Sequence, residues 1–248
     1  MIKGFGPETF GALNAESYDR ATDGPSAAET QLTVDVLAEL AGGGAVLELA
    51  IGTGRVGLPL AQRGLAVEGI EGSPEMVSKL REKPGGEAIP VVIGDYAEVG
   101  VDGPFDLVIL VFNTLFNLPA QADQVRCFRN VAGHLTDRGV FVIEASVPPV
   151  GHYPDGQRTR TVHVGFDRVT VEASIHDPLT QTIHYQYVTI GPNGARLTPL
   201  PLRYAWPSEI DLMAELAGLE LRDRWSDWRR APFTSTSESH ISVYGRRS

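Results

Sequence analysis

The chain has 248 residues, 42% of them hydrophobic, enough to bury a sizeable core in one domain or in one domain with a large insertion. Its formal charge of −10 and 21 scattered basic residues offer no positive footprint for a phosphate backbone, so no nucleic acid partner is expected. No apolar run approaches the roughly 20 residues of a membrane span, and the opening Met1-Ile2-Lys3-Gly4-Phe5-Gly6-Pro7 lacks the apolar stretch of a secretory signal, so a cytoplasmic protein without membrane contact is expected.

The first predicted element is a helix over 26–41. Ser26 and Glu29 make a capping-box pair, Leu32, Val36, Leu37 and Leu40 share one face, and Gly42-Gly43-Gly44 ends it. Strands and helices then alternate: strand 45–50 and helix 55–62, strand 65–71 and helix 74–81, strand 90–93, strand 105–112 and helix 119–135, strand 140–145. Such alternation predicts a parallel sheet covered by helices on both faces. The unbroken apolar run Leu107-Val108-Ile109-Leu110-Val111 fits a strand buried on both sides. The single cysteine, Cys127, cannot form an internal disulfide and reads as a packing residue of its helix.

Beyond residue 145 the pattern changes. Runs at 158–166, 168–177, 182–190 and 197–206 are rich in β-branched and aromatic residues and separated by turn signals such as Gly191-Pro192-Asn193-Gly194, which predicts an antiparallel insertion. A helix over 207–217 stops at Gly218, and strands at 219–225 and 240–246 close the fold.

The densest chemical signal is Val46-Leu47-Glu48-Leu49-Ala50-Ile51-Gly52-Thr53-Gly54-Arg55-Val56-Gly57, a strand entering a glycine turn that opens a helix. Glycines serve where the backbone needs φ > 0 or where a ligand must lie against the main chain. Glu71 ends the next strand 17 residues after Gly54, placed to accept two ribose hydroxyls. A nicotinamide dinucleotide site would share these features. It presents a helix N-terminus to a pyrophosphate, however, and would not favour an acid such as Glu48 four residues ahead of Gly52.

Four ordered motifs make the chain resemble the class I S-adenosylmethionine (SAM)-dependent methyltransferases over 45–145 and the two closing strands. Glu48 with Gly52 and Gly54 resembles the motif whose acid takes up the methionine ammonium, directly or through water. Glu71-Gly72-Ser73-Pro74-Glu75-Met76 resembles the segment in which the acid binds ribose and the residue matching Met76 packs on adenine. Gly94-Asp95-Tyr96 resembles the motif whose Asp accepts the adenine amino group, and 105–113, ending Phe112-Asn113, resembles the one beside the transferred methyl. Tyr18, in a Tyr-Asp segment, resembles a lid residue folding over the cofactor.

The resemblance implies a Rossmann-like seven-stranded sheet carrying the antiparallel insertion as a substrate cap. The expected organisation is an N-terminal lid and helix (1–44), a SAM-binding core (45–145), the cap (146–206), and a closing helix with the last two strands (207–248). The implied activity is methyl transfer to N or O of a small-molecule metabolite; the alternative is a SAM-binding regulatory or cyclase-type protein that transfers no methyl. The cap layout is similar to that of antibiotic-pathway sugar N-methyltransferases. Phe112 and Phe116 are candidate walls of the acceptor site and Asn113 a candidate polar contact. No acidic ligand set follows strand four, so no metal is expected. Tyr18, His152 after strand five and His240 at the last strand are the candidate catalytic residues. Homo-oligomerisation is left open.

Overall fold

The structure, a computed structural model, describes residues 6, 8–20, 25–98 and 100–247. After a short helix α1 (Thr9–Asn14) comes α2 (Ala27–Ala41), whose Ser26 cap accepts the Glu29 N–H while the Glu29 carboxylate accepts that of Ser26, completing the expected box. The alternating core follows as β1 (Val46–Leu49), α3 (Gly57–Gln62), β2 (Val67–Glu71), α4 (Pro74–Arg81), β3 (Val91–Ile93), β4 (Phe105–Leu110), α5 (Gln121–His134) and β5 (Leu135–Ser146). Four strands of a separate sheet come next: β6 (Gln157–Val164), β7 (Val169–Asp177), β8 (Thr182–Gly191) and β9 (Gly194–Arg203). Helix α6 (Pro207–Leu216), β10 (Leu219–Trp225) and β11 (Ser239–Arg246) return to the first sheet.

The main sheet has seven strands in the order β10-β11-β5-β4-β1-β2-β3, with β11 antiparallel to both its neighbours and the rest parallel. Strand order reverses between β1 and β4, which opens a crevice at the carboxyl ends of the strands, where doubly wound sheets bind ligands. Apolar side chains cover both faces. One core gathers Val34 and Leu37 of α2, Leu60 of α3 and Leu80 of α4 over Leu107 and Ile109 of β4. The other centres on Phe128 of α5, edge-on to Phe141 at 5.2 Å and to Tyr244 at 5.9 Å. Truncating a fully buried aromatic such as Phe128 to Ala costs about 3–5 kcal/mol.

Several boundaries differ from the sequence expectation, three of them for a reason visible in the structure. Helix α3 starts at Gly57 because the turn itself consumes residues 52–56. Strand β5 begins directly after α5, its Leu135 pairing with Phe105 of β4 across a register irregularity at 105/107. The β8–β9 hairpin closes tightly on the Gly191–Gly194 pair, which moves β9 forward to 194–203. Pro199 and Pro201 then lie in an edge strand, where a missing N–H is tolerated.

Candidate active site

β1 delivers the chain to a turn in which Ala50, Gly52 and Gly54 all have positive φ. Gly54 is doubly constrained: its φ is +77°, and a Cβ there would lie 2.4 Å from Leu80 Cδ1 of α4. Glu71 reaches the turn from the end of β2. Its Oε2 accepts the Gly52 N–H at 2.8 Å and its Oε1 the Ser73 N–H at 2.9 Å. Burial raises its pKa above the usual carboxylate range, opposed by the N–H groups of Ser73, Gly52 and Gly72.

Glu48 sits beneath the turn, against α3, where a Cβ on Gly57 would come within 2.5 Å of its Oε2. It is 4% exposed, its Oε2 has no hydrogen-bond partner among the described residues, and burial pushes its pKa up to about 8 despite a bond from the Gly57 N–H.

The N-terminal segment closes over the turn. Tyr18, in a 3-10 turn with Asp19, lays its ring 4.7 Å from the Arg55 guanidinium, and Phe112 lies 5.4 Å from the same group. Among the described residues Arg55 forms no ion pair, and it lies against these two aromatic rings. Asp19 accepts the Thr53 hydroxyl at 2.7 Å and pairs with Lys83 at 2.7 Å, and Lys83 donates to the Thr53 carbonyl at 2.6 Å. Helix α1 packs Gly11 on Ser73 and Met76, so Met76 is 5% exposed, between α1 and the glycine turn.

Asp95 is partly exposed, and one of its oxygens accepts the Ala97 N–H at 2.8 Å. Tyr96 is a core residue whose hydroxyl donates to the Thr114 carbonyl at 2.8 Å, tying β3 to the turn after β4.

At the end of β4, Phe112 and Asn113 both have positive φ, a strained conformation for side-chain-bearing residues. The strain is supported by Glu144 of β5. Its Oε2 accepts the Phe112 N–H at 3.1 Å, its carbonyl accepts the Asn113 N–H at 3.1 Å, and its Oε1 accepts the Trp228 indole N–H at 3.1 Å. Burial raises the Glu144 pKa, the two N–H donors opposing it. Next to this group opens a cavity of about 360 Å³ lined by Glu29, Phe112, Glu144, Asp227, Trp228 and Arg229 among others.

The remaining sequence candidates are placed differently. The Asn113 side-chain oxygen accepts the Ser146 N–H at 2.5 Å, so it holds the strand ends together. Phe116 is 2% exposed within the α5 core and does not line the cavity. His152 lies on the surface with Nδ1 3.2 Å from an Arg158 nitrogen. His240 lies between the lining residues Ser239 and Ile241, but strand alternation turns its ring to the other face. There Nδ1 meets the Ser242 hydroxyl at 2.8 Å, and burial, aided by the Arg224 charge, pushes its pKa down to about 4. Neither histidine reaches the cavity.

The donors and acceptors gathered at the turn fit SAM. An enclosed carboxylate oxygen and a guanidinium that find no partner and no ion pair among the described residues, with a carboxylate at the β2 end, complement a ligand carrying an ammonium, a carboxylate and a ribose diol. Residues 46–139 match the family model described as a methyltransferase domain. The CcbJ methyltransferase from Streptomyces caelestis superposes with a TM-score of 0.90 at 37% identity, over 98% of this chain and 100% of that one. The chain belongs to the class I SAM-dependent methyltransferases. A cypemycin N-terminal methyltransferase from Streptomyces is 28% identical over 208 residues, 83% of this chain and 84% of its relative. A SAM-bound amino pentose methyltransferase from Micromonospora echinaspora shares the fold at a TM-score of 0.68 and 21% identity, covering 94% and 96% of the two chains.

Three residues that the structure brings to this candidate site are not among the site residues expected from sequence: Arg55, Glu144 and Trp228. Glu144 had a signal, being the lone acid in the apolar run Val140-Phe141-Val142-Ile143-Glu144-Ala145 and sitting at the carboxyl end of a parallel strand. Trp228 stands in the aromatic-basic run 222–230, but its contact with Glu144 spans 84 residues of chain and has no signal in the sequence.

Proposed function

We propose that this methyltransferase methylates the nitrogen of a small-molecule amine held in the cavity beyond Phe112. The observation that carries the reading is the make-up of that cavity: the carboxylates of Glu29, Glu144 and Asp227 outnumber Arg229 and stand beside the rings of Phe112 and Trp228. Carboxylates and aromatic faces together favour a cation, and an amine arrives from water as an ammonium. The names of two relatives point the same way, one an N-terminal methyltransferase and one acting on an amino pentose.

Bound SAM supplies a methyl group on a sulfonium, already activated for in-line displacement. The protein's work is therefore alignment and proton removal. Arg55 holds a carboxylate, Glu71 the ribose hydroxyls, and Tyr18 closes over the turn. Glu144, rigidly fixed by Phe112 and Trp228, takes the proton that an ammonium must lose before its nitrogen can attack, and its raised pKa makes it a better acceptor than an ordinary carboxylate. The test is incubation with SAM and matched panels of amines and alcohols, with S-adenosylhomocysteine and the methylated product measured by mass spectrometry. Turnover of amines is expected; turnover confined to alcohols would overturn the nitrogen assignment.

A further inference from the structure

We propose that Gln124 is a positioning residue for methyl transfer: from the first turns of α5 it holds the turn that carries Phe112, and through Arg203 it joins that turn to the root of the cap. The inference rests on the acceptor standing beyond Phe112, and not on its being an amine.

Gln124 is fully buried. Its amide nitrogen, a double donor, faces the carbonyls of Leu115, Leu118 and Arg203 at 3.2, 3.4 and 2.9 Å, and its Oε1 accepts an Arg203 N–H at 2.6 Å. Leu115 lies in the 3-10 turn Thr114–Asn117 and Leu118 directly follows it, and this turn begins straight after the positive-φ pair Phe112 and Asn113. Its opening is tied down by other groups: the Thr114 hydroxyl donates to the Val111 carbonyl at 2.6 Å, while Glu144 holds the Phe112 N–H and Tyr96 the Thr114 carbonyl. Glu144 therefore fixes the strained backbone at its start and Gln124 at its end.

Arg203, the last residue of β9, is 6% exposed. Its Nη2 donates to Glu209 Oε1 at 2.7 Å and to Gln181 Oε1 at 3.2 Å. Gln181 donates in turn to Glu209 Oε2 at 2.8 Å and to the Tyr204 carbonyl at 3.3 Å, and Gln121 donates to Glu209 Oε1 at 2.6 Å. The cluster thus gathers the turn before β8, the end of β9 and the first turns of α5 and α6. Burial opposes ionisation of Glu209, but the bonds from Arg203, Gln181 and Gln121 outweigh it and hold its pKa below the ordinary value, so the ion pair stays charged near neutrality.

An apolar side chain at 124 would fill the space without desolvating an amide. What the amide adds is direction, since hydrogen bonds in a low-dielectric interior are strong and depend on their geometry. In-line displacement depends on such direction: a misplacement of about 1 Å can cost roughly 100-fold in rate.

Gln124→Met conserves volume and removes both the donors and the acceptor. At saturating SAM, single-turnover methylation of a compound turned over in the amine and alcohol panels should slow at least about tenfold per bound SAM, with the acceptor KM and SAM affinity within about threefold of wild type. Amide exchange over 112–118 should quicken about tenfold while that of β11 holds. If Met prevents folding, Gln124→Glu keeps an oxygen for Arg203 and removes the donors, and the same slowing is expected. Arg203→Lys keeps the charge beside Glu209 but replaces the fork by a single nitrogen. It should slow the step less, and the double variant should be no slower than Gln124→Met alone; additive losses would overturn the link to the cap. A folded Gln124 variant whose rate per bound SAM stays within about twofold of wild type overturns the proposal, whatever its Tm. Asp227→Asn tests the acceptor's place separately: an unchanged KM there counts against that reading, whereas only an unchanged rate in the Gln124 variants counts against this one.

Discussion

The Phe112 N–H and the Glu144 carboxylate meet across neighbouring strands at 3.1 Å, so one side chain both fixes the strained turn after β4 and presents a raised-pKa acid to the cavity. Glu144→Gln keeps an acceptor for the turn and removes the base. With the amine substrate it should lower kcat by about 10²- to 10⁴-fold and leave SAM affinity within about threefold of wild type. Since Glu144 accepts a proton only when ionised, wild-type kcat/KM should climb with pH through a pKa above the ordinary carboxylate range. That limb should vanish in the Gln variant. An unchanged acid limb in Glu144→Gln would remove Glu144 from the mechanism.

Glu48 predicts a pH dependence of stability. Its folded pKa of about 8 lies above the ordinary 4.5, so the folded chain retains a proton that the unfolded chain releases. Its stabilising contribution is complete below pH 4.5, declines as pH rises, and is lost by about pH 8. Glu48→Gln should therefore leave Tm nearly unchanged at pH 4.5 and raise it at pH 8, by roughly 2–4 °C for each kcal/mol regained. Thermal melts of the ligand-free protein at the two pH values measure it. Because the resemblance assigns this acid to the methionine ammonium, the same variant should bind SAM more weakly by calorimetry.

Arg55, clasped by Tyr18 and Phe112, gives a graded series. Tyr18→Phe keeps the ring and should hold SAM affinity near wild type. Tyr18→Ala exposes the guanidinium and should weaken binding by about 2- to 30-fold, the range of a cation–π contact. Arg55→Leu should weaken it further. Equal effects of Phe and Ala at position 18 would mean that the hydroxyl, and not the ring, matters.

At the turn itself, Glu71→Ala leaves the Gly52 and Ser73 N–H groups without their acceptor, at a cost of about 1–3 kcal/mol each if no water replaces it. SAM affinity should drop at least tenfold in a chain that still folds. Gly54→Ala differs in kind. It places a Cβ at φ +77° and 2.4 Å from Leu80, so the loss should show first as a lower Tm and only then as weaker binding.

The strand–helix alternation, the capping box of α2 and the glycine turn could all be read from sequence because each rests on contacts within a few residues or on simple periodicity. The acceptor side could not. Arg55 finds its aromatic partners 37 residues before it and 57 after, and Glu144 is joined to Trp228 only when the β10–β11 connection folds back over the strand ends. His240 misled for a related reason. Its place at the carboxyl edge of the sheet is legible from the strand pattern, but which face its ring takes depends on a register set by pairing with β5.

The bridge from Asp19 to Lys83 and Thr53 has a kinetic meaning. The segment that covers the cofactor site is packed through α1 on Met76, but at its Asp19 end it is fastened by opposite charges, with the Asp19 side chain 42% exposed. Mobile ions compete with such a fastening, because the screening length is only about 10 Å at 0.1 M salt. Ionic strength should thus govern how quickly nucleoside enters and leaves. In stopped flow, rising salt is expected to quicken S-adenosylhomocysteine release while single-turnover chemistry stays level, which makes the cell's electrolyte a direct influence on turnover wherever product departure is the slow step.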